Sequence, residues 1–376
     1  MVIHGTFLSD ERERNILLII KMKKKILAVL LCAVMVLSMI ACGGNNEEKD
    51  SNKENSSNET DGQDAQKEDD KELAEITFVL DWTPNTNHTG LYVAQAKGYF
   101  EEAGLRVNIV QPPEDGATVL VAGGGAQFGV DFQEYLAPAF ATDDPMPVTA
   151  VAAIIQHNTS GFISLKENGI ESPKNMEGYT YATWDMDIEK AILKYIMEKD
   201  GGDYSKLKMI PSTVNDVITA LQTDVDLVWI YYAWDGIATK VQGVETNYIN
   251  LADVDKALDF YSPVIIANND YLESNPDQAK AFLNAVKKGY EYAMENPEDA
   301  AKILCEAAPE LDIEIVTESQ KWLADKYQED AASWGMIDGE RWDGFYQWLY
   351  DKGVITQEIP DGMGYSNEYL DGTVQP

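Results

Sequence analysis

Residues 76–110, ITFVLDWTPNTNHTGLYVAQAKGYFEEAGLRVNIV, contain the repeating unit from which the fold is built. The apolar run 76–80 has the composition of a buried strand, and the alternating segment 105–110 has that of a second strand. Between them, 90–103 favours a helix that ends at Gly104, since glycine commonly terminates helices. A strand, a helix and a strand in this order predict a parallel pair with a helix packed against it.

The same alternation continues along the chain and then starts again. Strands are predicted at 126–130, 148–155, 162–165, 179–183, 207–210, 225–230 and 264–267, and helices at 118–122, 132–140, 188–199 and 214–221. Four more helices are predicted at 276–294, 297–307, 313–330 and 341–349. The pattern therefore predicts an α/β protein of two lobes with largely parallel sheets, followed by a C-terminal helical segment.

The chain is expected to cross between the two lobes twice, near 156–161 and near 255–263. We therefore assign 76–157 and 260–376 to lobe 1 and 158–259 to lobe 2. Two crossings make a hinge, and ligands of open α/β folds bind in the crevice at the carboxyl ends of the strands. The cleft between the lobes is thus the expected binding site, and closure about the hinge is the expected motion.

The first 42 residues have the features of an export signal. Three lysines at 23–25 precede an apolar run, 26–40, that is too short to cross a bilayer comfortably. Residues 39–42, MIAC, resemble a bacterial lipobox, although the first residue is Met instead of the usual Leu. The resemblance implies that Cys42 is acylated and anchors the mature protein, with Met22 as the expected true start. An uncleaved membrane anchor is the alternative.

Residues 43–75 are polar and acidic and contain very few apolar side chains. Such a segment cannot bury enough surface to offset its conformational entropy. We expect it to be a disordered tether between the lipid and the folded domain. A solvated charged helix is the alternative and would leave the function unchanged.

Composition limits the possible classes of function. The 376 residues include 29 Lys and Arg against 64 Asp and Glu, a formal net charge of -35, which argues against nucleic acid and anionic lipid as partners. Of three cysteines, only Cys305 follows the signal, so neither a disulfide framework nor a cysteine metal site is predicted. His88 and His157 lack the spacing of metal ligands, and we expect no metal and no cofactor.

The segment 81–90, DWTPNTNHTG, joins the first predicted strand to its helix and is dense in hydrogen-bonding groups. It carries the large ring of Trp82, the amide of Asn85 and the imidazole of His88. Because it follows the carboxyl end of a strand, we expect it to face the ligand. The alternatives are a turn-forming role for Asn85 and a cap or loop hydrogen bond for His88.

Several segments together resemble the NMT1/THI5-like family. They are 81–94, 97–100, 156–161, 171–178 and 229–236, and the resemblance covers roughly residues 75 to 350. It implies the periplasmic-binding-protein type II fold, with two α/β lobes and a hinge. The most similar branch consists of lipoproteins that bind thiamine pyrimidine precursors of the formylaminopyrimidine type. That branch implies an extracytoplasmic protein, which we expect to be a monomer, that delivers an aminopyrimidine to an ABC permease.

A flat, nitrogen-rich ring needs aromatic platforms and in-plane donors and acceptors. Candidate platforms are Trp82, Trp184, Tyr231, Tyr232 and Trp234, and candidate readers of the ring edge are Asn85, Asp185, Asp187, Glu189 and Asp235. The resemblance favours Asn85 and Glu189. Core packing is the alternative for Trp234, and a plain carboxylate in the first turn of a helix is the alternative for Glu189. Thr159 and Ser160 are expected to contact a polar ligand tail or to shape the hinge.

The same family includes pyrimidine synthases, which hold pyridoxal phosphate on a lysine and consume a histidine. By resemblance these positions are Asp131 and Tyr135 here, so no Schiff base can form. The cysteine-rich run that those synthases use for iron is also missing. Ser160 and His157 are three residues apart at the hinge, which does not fix the geometry of a hydrolase triad, and the glycines 123–125 are not followed by the lysine of a phosphate loop. We therefore expect a protein that is not an enzyme.

Other ligands of the family remain open at this point, namely riboflavin and its precursors, taurine, alkylsulfonates and nitrate. An anionic ligand would call for Arg or Lys in the cleft, and the loops expected to face it contain no arginine. Backbone N–H groups at helix starts are a second way to bind an anion. Riboflavin is itself a flat ring system and is harder to distinguish from a pyrimidine by these criteria.

Overall fold

The computed structural model describes residues 73–371. The predicted signal 1–42, the acylated Cys42 and all but the end of the tether 43–75 lie outside the described residues. The first strand begins at Ala74, so the last residues assigned to the tether belong to the folded domain. The described chain forms two five-stranded sheets with helices packed on them.

The first sheet belongs to lobe 1. Its strands are β1 (Ala74–Val79), β2 (Leu105–Val110), β3 (Phe128–Asp131), β4 (Val148–Ala153) and β10 (Val264–Asn268). Their order is β2-β1-β3-β10-β4. β1 pairs in parallel with β2 and β3, whereas β10 is antiparallel to both β3 and β4. The prediction of a largely parallel sheet is wrong for β10, because this strand returns from the other lobe and enters the sheet from the opposite end.

The second sheet repeats this arrangement in lobe 2. Its strands are β5 (Ser160–Leu165), β6 (Thr180–Thr183), β7 (Lys208–Pro211), β8 (Leu227–Tyr231) and β9 (Thr246–Asn250), in the order β7-β6-β8-β5-β9. β6 is parallel to β7 and β8, and β5 is antiparallel to β8 and β9. β9 was not predicted, because it is a half-buried edge strand of mainly polar residues without a clear apolar alternation.

Four helices connect the strands of lobe 1. They are α1 (Thr89–Ala96), α2 (Tyr99–Glu102), α3 (Ala117–Ala122) and α4 (Gln133–Phe140). The single helix predicted over 90–103 is in fact two helices. Gly98 between them has a left-handed backbone with φ of 74°, which glycine adopts without steric cost and which ends α1.

Four helices belong to lobe 2. They are α5 (Asp187–Lys199), α6 (Val217–Thr223), α7 (Ile237–Val241) and α8 (Leu251–Val254). α5 buries Ile188, Ile192 and Ile196 along one face, the i, i+4, i+8 spacing of an amphipathic helix. α7 continues from a π-helical turn at 232–236 that directly follows β8.

The chain ends in a helical segment that packs largely on lobe 1. Its helices are α9 (Asn269–Ser274), α10 (Pro276–Glu295), α11 (Pro297–Ala307), α12 (Ile313–Leu323) and α13 (Gly339–Asp351). The helix predicted over 313–330 ends at Leu323, and the turns that follow bury Tyr327 and Trp334 in lobe 1. Within residues 73–371 no helix combines the length and the apolar character needed to cross a bilayer.

The two lobes contact each other at the hinge and across the cleft. The crossings lie between β4 and β5 and between β9 and β10, and His157 Nδ1 on the first is 2.6 Å from Asp259 Oδ2 on the second. Across the cleft, the ring of Phe132 stacks on that of Tyr231, with centroids 5.3 Å apart. The hydroxyl of Ser319 in α12 donates to the carbonyl of Ala233 in lobe 2. The cleft is therefore nearly closed.

Candidate functional site

A cavity of about 410 Å³ opens on lobe 1 beside the carboxyl ends of β1 and β3, where open α/β folds bind ligands. Its volume suits a small organic molecule. The lining residues are Asp81, Asp115, Gly116, Ala117, Thr118, Val119, Val130, Asp131, Phe132, Tyr135, Pro138, Ala139 and Met146. Three of these are aspartates, and none of these described residues is Lys, Arg or His. The cavity therefore presents acceptors and apolar surface, without a counter-charge for an anion.

The predicted polar residues of the loop after β1 mainly hold the loop itself. The backbone N–H of Asn85 donates to His88 Nδ1 at 3.2 Å, so the ring proton is assigned to Nε2, which lies 2.6 Å from Asp81 Oδ1. The Asn85 side chain accepts from the N–H of Asn87 at 2.9 Å and donates to the carbonyl of Thr83 at 3.1 Å. Asn85 and His88 thus orient Asp81, and Asp81 is the residue of the three that lines the cavity.

Asp131, at the end of β3, is a site residue that sequence reasoning treated only as the replacement for a synthase lysine. Its carboxylate accepts from the hydroxyl of Thr118 and, at 2.8 Å, from the N–H of Phe132. Burial raises its pKa to about 6, and these two hydrogen bonds oppose the rise. Its position directly after a predicted buried strand was the signal that could have identified it.

Glu134, in the first turn of α4, was also missed. Its side chain is 3% exposed, one carboxyl oxygen is 3.4 Å from the hydroxyl of Ser262, and the other has no hydrogen-bond partner in the described part of the chain. Burial raises the pKa of this carboxyl to about 8, so most of it is protonated at neutral pH. A buried polar atom left unpaired typically costs about 1–3 kcal/mol, so the fold gains no stability from this arrangement.

A second, much smaller cavity of about 10 Å³ lies in the seam between the lobes, with room for no more than one water molecule. Lobe 1 contributes Glu134 and Tyr135, and lobe 2 contributes Trp184, Met186, Ile188, Glu189 and Trp229. Tyr135 lines both cavities, so the two are adjacent. The ring of Trp184 lies 5.9 Å from that of Trp229, and Trp184 is the predicted platform that the structure places in the seam.

Glu189 lies in this seam, but its carboxylate is already satisfied by lobe 2. It accepts from Tyr181 Oη at 2.5 Å and Thr183 Oγ1 at 2.7 Å, and from the backbone N–H groups of Trp184 and Met186 at 3.1 and 3.3 Å. All four donors lie in β6 or in the loop that follows it, and their hydrogen bonds to Glu189 fix this loop against the start of α5. Glu189 therefore positions Trp184 in addition to lining the cleft.

Two further candidate edge readers, Asp185 and Asp187, are exposed. Asp185 has a left-handed φ of 66°, an uncommon backbone for a residue with a side chain, and it pairs with Lys190 at 2.5 Å. Trp82, a predicted platform, is 55% exposed and does not line the cavity. Tyr231, another predicted platform, lies on the lobe 2 side of the cleft, and its ring stacks on that of Phe132 of lobe 1.

The remaining predicted residues of the segment after β8 pack away from both cavities. The ring of Tyr232 lies 4.8 Å from that of Tyr248 and 5.2 Å from that of Trp322. Trp234, partly buried, packs against the apolar cluster formed by α11 and α12. Burial, with a smaller contribution from Asp216, raises the pKa of Asp235 to about 7.

Thr159 and Ser160 lie at the hinge. The carbonyl of Thr159 accepts from Tyr248 Oη at 2.7 Å, and the N–H of Ser160 donates to Asn158 Oδ1 at 2.8 Å. The Ser160 hydroxyl is buried and has no partner within the described residues. The ring of His157 hydrogen-bonds to Asp259 and Asp330. The structure thus gives no nucleophile–base pair at this position.

Two lobes with the same sheet order, joined by two crossings around a cleft, define a protein of the periplasmic-binding-protein type II fold. The alkanesulfonate-binding protein SsuA from Xanthomonas axonopodis pv. citri, solved bound to MOPS, superposes with a TM-score of 0.60 at 12% identity. The match covers 78% of this chain and 99% of that one. The predicted fold class is therefore confirmed, although identity this low shows the fold alone.

The chain belongs to the NMT1/THI5-like family, whose sequence model matches residues 85–300. The formylaminopyrimidine-binding protein of Halalkalibacterium halodurans is 30% identical over 289 residues, which cover 75% of this chain and 86% of that protein. The 4-amino-5-hydroxymethyl-2-methylpyrimidine phosphate synthase THI13 of Saccharomyces cerevisiae is 26% identical over 253 residues, covering 64% of this chain and 73% of the synthase. The predicted family is confirmed, and family and fold together support a solute-binding protein.

Proposed function

We propose that this chain is the extracytoplasmic binding component of an ABC importer and that it captures an aminopyrimidine precursor of thiamine. The two-lobed fold supports capture of a solute by closure. The relative from Halalkalibacterium halodurans is named for binding formylaminopyrimidine. In this proposal the protein acts as a monomer, and a lipid on Cys42 keeps it beside its permease.

The observation that carries the proposal is the charge of the cleft. Asp81, Asp115 and Asp131 line the larger cavity and Glu134 and Glu189 line the seam, and the described residues lining either cavity include no Lys, Arg or His. Carboxyl groups accept hydrogen bonds from an exocyclic amine, and a protonated carboxyl also donates to a ring nitrogen, so such groups match an aminopyrimidine. A sulfonate or nitrate would find acidic side chains and no cation among these described lining residues, which disfavours those ligands.

The same geometry favours a binding role over a synthase role. A synthase of this family, as the resemblance implies, needs an amine in the β3–α4 segment to hold pyridoxal phosphate, and this chain has the carboxyl of Asp131 there, bonded to Thr118. A carboxyl cannot form a Schiff base. We therefore propose that the chain is not an enzyme. A lasting change in the absorbance of pyridoxal phosphate on mixing with the protein would contradict this.

Calorimetric titration of the chain without its N-terminal signal tests the ligand. The panel comprises formylaminopyrimidine, hydroxymethylpyrimidine, thiamine, riboflavin, taurine and nitrate. Binding of a pyrimidine alone is the expected result, because the cleft offers acceptors and aromatic rings. Binding of taurine or nitrate alone would retain the solute-binding role and overturn the proposed ligand. Binding of riboflavin alone would show that the cleft selects flat rings other than pyrimidines.

A further inference from the structure

The seam between the lobes contains two buried polar atoms that the protein leaves unpaired. One is Glu134 Oε2 of lobe 1, and the other is the indole Nε1 of Trp229 in lobe 2, each without a hydrogen-bond partner in the described chain. The two side chains are 3% and 4% exposed, and both line the small cavity. Native proteins rarely bury such atoms without reason, and the pair consists of a carboxyl group and an N–H donor. A ligand that enters the seam can satisfy both.

The described groups that interact with Glu134 carry no positive charge. The groups that interact with it are Asp131 of β3, Tyr135 of α4, Tyr231 of β8, Ser262 before β10 and Tyr346 of α13. All five described neighbours are neutral or acidic. The carboxyl of Glu134 therefore has no ion-pair partner and is not placed to stabilise the fold as an anion.

We propose that Glu134 recognises the amidine edge of the aminopyrimidine, that is, the ring nitrogen and the neighbouring exocyclic amine. The rings of Tyr135 and Trp184, which line the seam from opposite lobes, cover the two faces of the ligand. The N–H of Trp229 donates to a polar substituent of the ring. This role rests on the proposed function, and it identifies the residue that selects an aminopyrimidine over other flat rings.

The chemistry of a protonated carboxyl matches that edge. Its O–H donates to the ring nitrogen while its other oxygen accepts from the amine, so two parallel hydrogen bonds form in the plane of the ring. Burial raises the pKa of Glu134 to about 8, which keeps this proton available at neutral pH. If the proton moves to the ring nitrogen, a carboxylate and an amidinium result, and the same two hydrogen bonds persist without any other group gaining or losing charge.

The two adjacent cavities indicate how a ligand would reach the seam. The seam holds only about 10 Å³ when the lobes touch, so the lobes have to separate before a ring fits. The adjoining cavity of about 410 Å³ is large enough to receive the ligand first, and Tyr135 is the shared wall. Closure over the ligand would then bring Trp184 and Trp229 of lobe 2 against it.

The test titrates two probes into the wild type, Glu134→Gln and Glu134→Leu. One probe is 4-amino-5-hydroxymethyl-2-methylpyrimidine, and the other is its analogue with a methyl group in place of the amine. Gln retains an in-plane acceptor and donor, whereas Leu keeps the approximate volume and removes both. Asp343→Asn is the control, since it changes a partly buried carboxyl on α13 that lines neither cavity. Thermal unfolding of each variant confirms that it is folded.

We expect the wild type and the control to prefer the amine-bearing probe. Glu134→Leu is expected to bind that probe roughly 10- to 100-fold more weakly and to lose the preference, because two ligand groups are then buried unpaired. Glu134→Gln should keep a clear preference. Equal affinities in wild type and Glu134→Leu, or an equal loss for both probes, would overturn the role of Glu134 alone. Failure of the wild type to bind any aminopyrimidine would overturn the proposed function and this role with it.

Discussion

At the scale of single residues, the cleft contains buried carboxyl groups, and the described residues that line it include no cationic side chain. Asp131 and Glu134 lie three positions apart, at the end of β3 and the start of α4, and burial raises the pKa of both. An acid that keeps its proton when folded and loses it when unfolded makes stability depend on pH. The protonation of these two site residues can therefore be followed through the pH dependence of the stability of the ligand-free protein.

Glu134→Gln is expected to flatten the pH dependence of stability. In the folded protein the pKa of Glu134 is about 8, against a usual value of 4.5, so the unfolded chain releases this proton first. The free energy of unfolding should therefore fall as pH rises from about 4.5 to about 8, by up to roughly 1.4 kcal/mol per pH unit. The variant lacks this contribution but keeps those of Asp131 and Asp235. Urea unfolding across this range measures the difference, and parallel curves would contradict the assignment.

Glu189→Gln is expected to lower the free energy of unfolding by about 2 kcal/mol. The carboxylate accepts from four donors, and an amide NH₂ group in its place would face two of them as a further donor. Glu198→Gln on the same helix is the matched control, because Glu198 is exposed, and it should change stability by less than about 0.5 kcal/mol. Urea denaturation compares them, and equal effects would show that the four contacts are not stabilising.

At the scale of elements, the close approach of α1 and α10 depends on a pair of glycines. Gly289 of α10 lies so near the carbonyl of Gly90 that a Cβ on Gly289 would overlap its oxygen, and a Cβ on Gly90 would overlap the ring of Tyr290. The two helices can therefore pack backbone to backbone at this point. This contact supports the loop after β1, whose Asn87 carbonyl accepts from Tyr290 Oη at 2.5 Å.

Gly289→Ala is expected to destabilise the protein by about 1–3 kcal/mol, because the helices would have to move apart to admit a methyl group. Gly344→Ala in α13 is the matched control, since a Cβ there meets no atom within 4 Å. It should be neutral or stabilising by up to about 1 kcal/mol, because alanine is the better helix former. Thermal unfolding distinguishes them. A loss of stability of the same size in both variants would mean that helix packing is not the cause.

The elements themselves were predicted with uneven success. The strand–helix alternation from 76 to 110 is confirmed as β1, α1, α2 and β2, but Gly98 divides the helix because its backbone is left-handed. The helix predicted to reach residue 330 ends at Leu323, since the following aromatic residues turn into the core of lobe 1. β9 was missed because it is a half-buried edge strand of mainly polar residues without a clear apolar alternation.

At the scale of the whole molecule, His157 links the first crossing to the second and to the C-terminal segment. Its ring contacts Asp259 at 2.6 Å and Asp330 at 3.1 Å, with Glu329 at 3.7 Å and Arg341 Nη1 at 2.8 Å. The hydrogen bond to Asp259 raises the pKa of His157 most, while burial and Arg341 oppose the rise. The hinge therefore includes a histidine whose protonated form the fold favours.

We expect His157→Gln to cost more stability in acid than in alkali. A histidine whose pKa is raised in the folded state contributes stability that is fully present below its usual value of 6.5 and is lost as pH rises through the raised value. The difference in free energy of unfolding between wild type and variant should therefore shrink as the pH rises above 6.5 and through the raised pKa of His157. In an Asp259→Asn background this pH dependence should be smaller. A difference in free energy of unfolding between wild type and His157→Gln that does not change with pH would contradict this prediction.

The binding site was harder to predict than the fold, and particular residues show why. Asn85, His88 and Glu189 have the polar side chains that a ligand needs, yet their hydrogen bonds are largely used by the loops around them. Their partners are close in sequence, but the sequence alone does not show which polar groups of a loop bond to one another and which face a ligand. Glu134 gave no signal in sequence, because it looks like an ordinary carboxylate in the first turn of a helix.

The sequence by itself determined the α/β alternation, the family and the absence of arginine from the loops expected to face the cleft, since these depend on local periodicity and composition. Only the tertiary structure decided that β10 is antiparallel, that Trp234 packs against α11 and α12, and that one carboxyl oxygen of Glu134 is buried without a hydrogen-bond partner among the described residues. The physical reason is that burial, and with it the energy of a hydrogen bond or a charge, depends on segments distant in the chain.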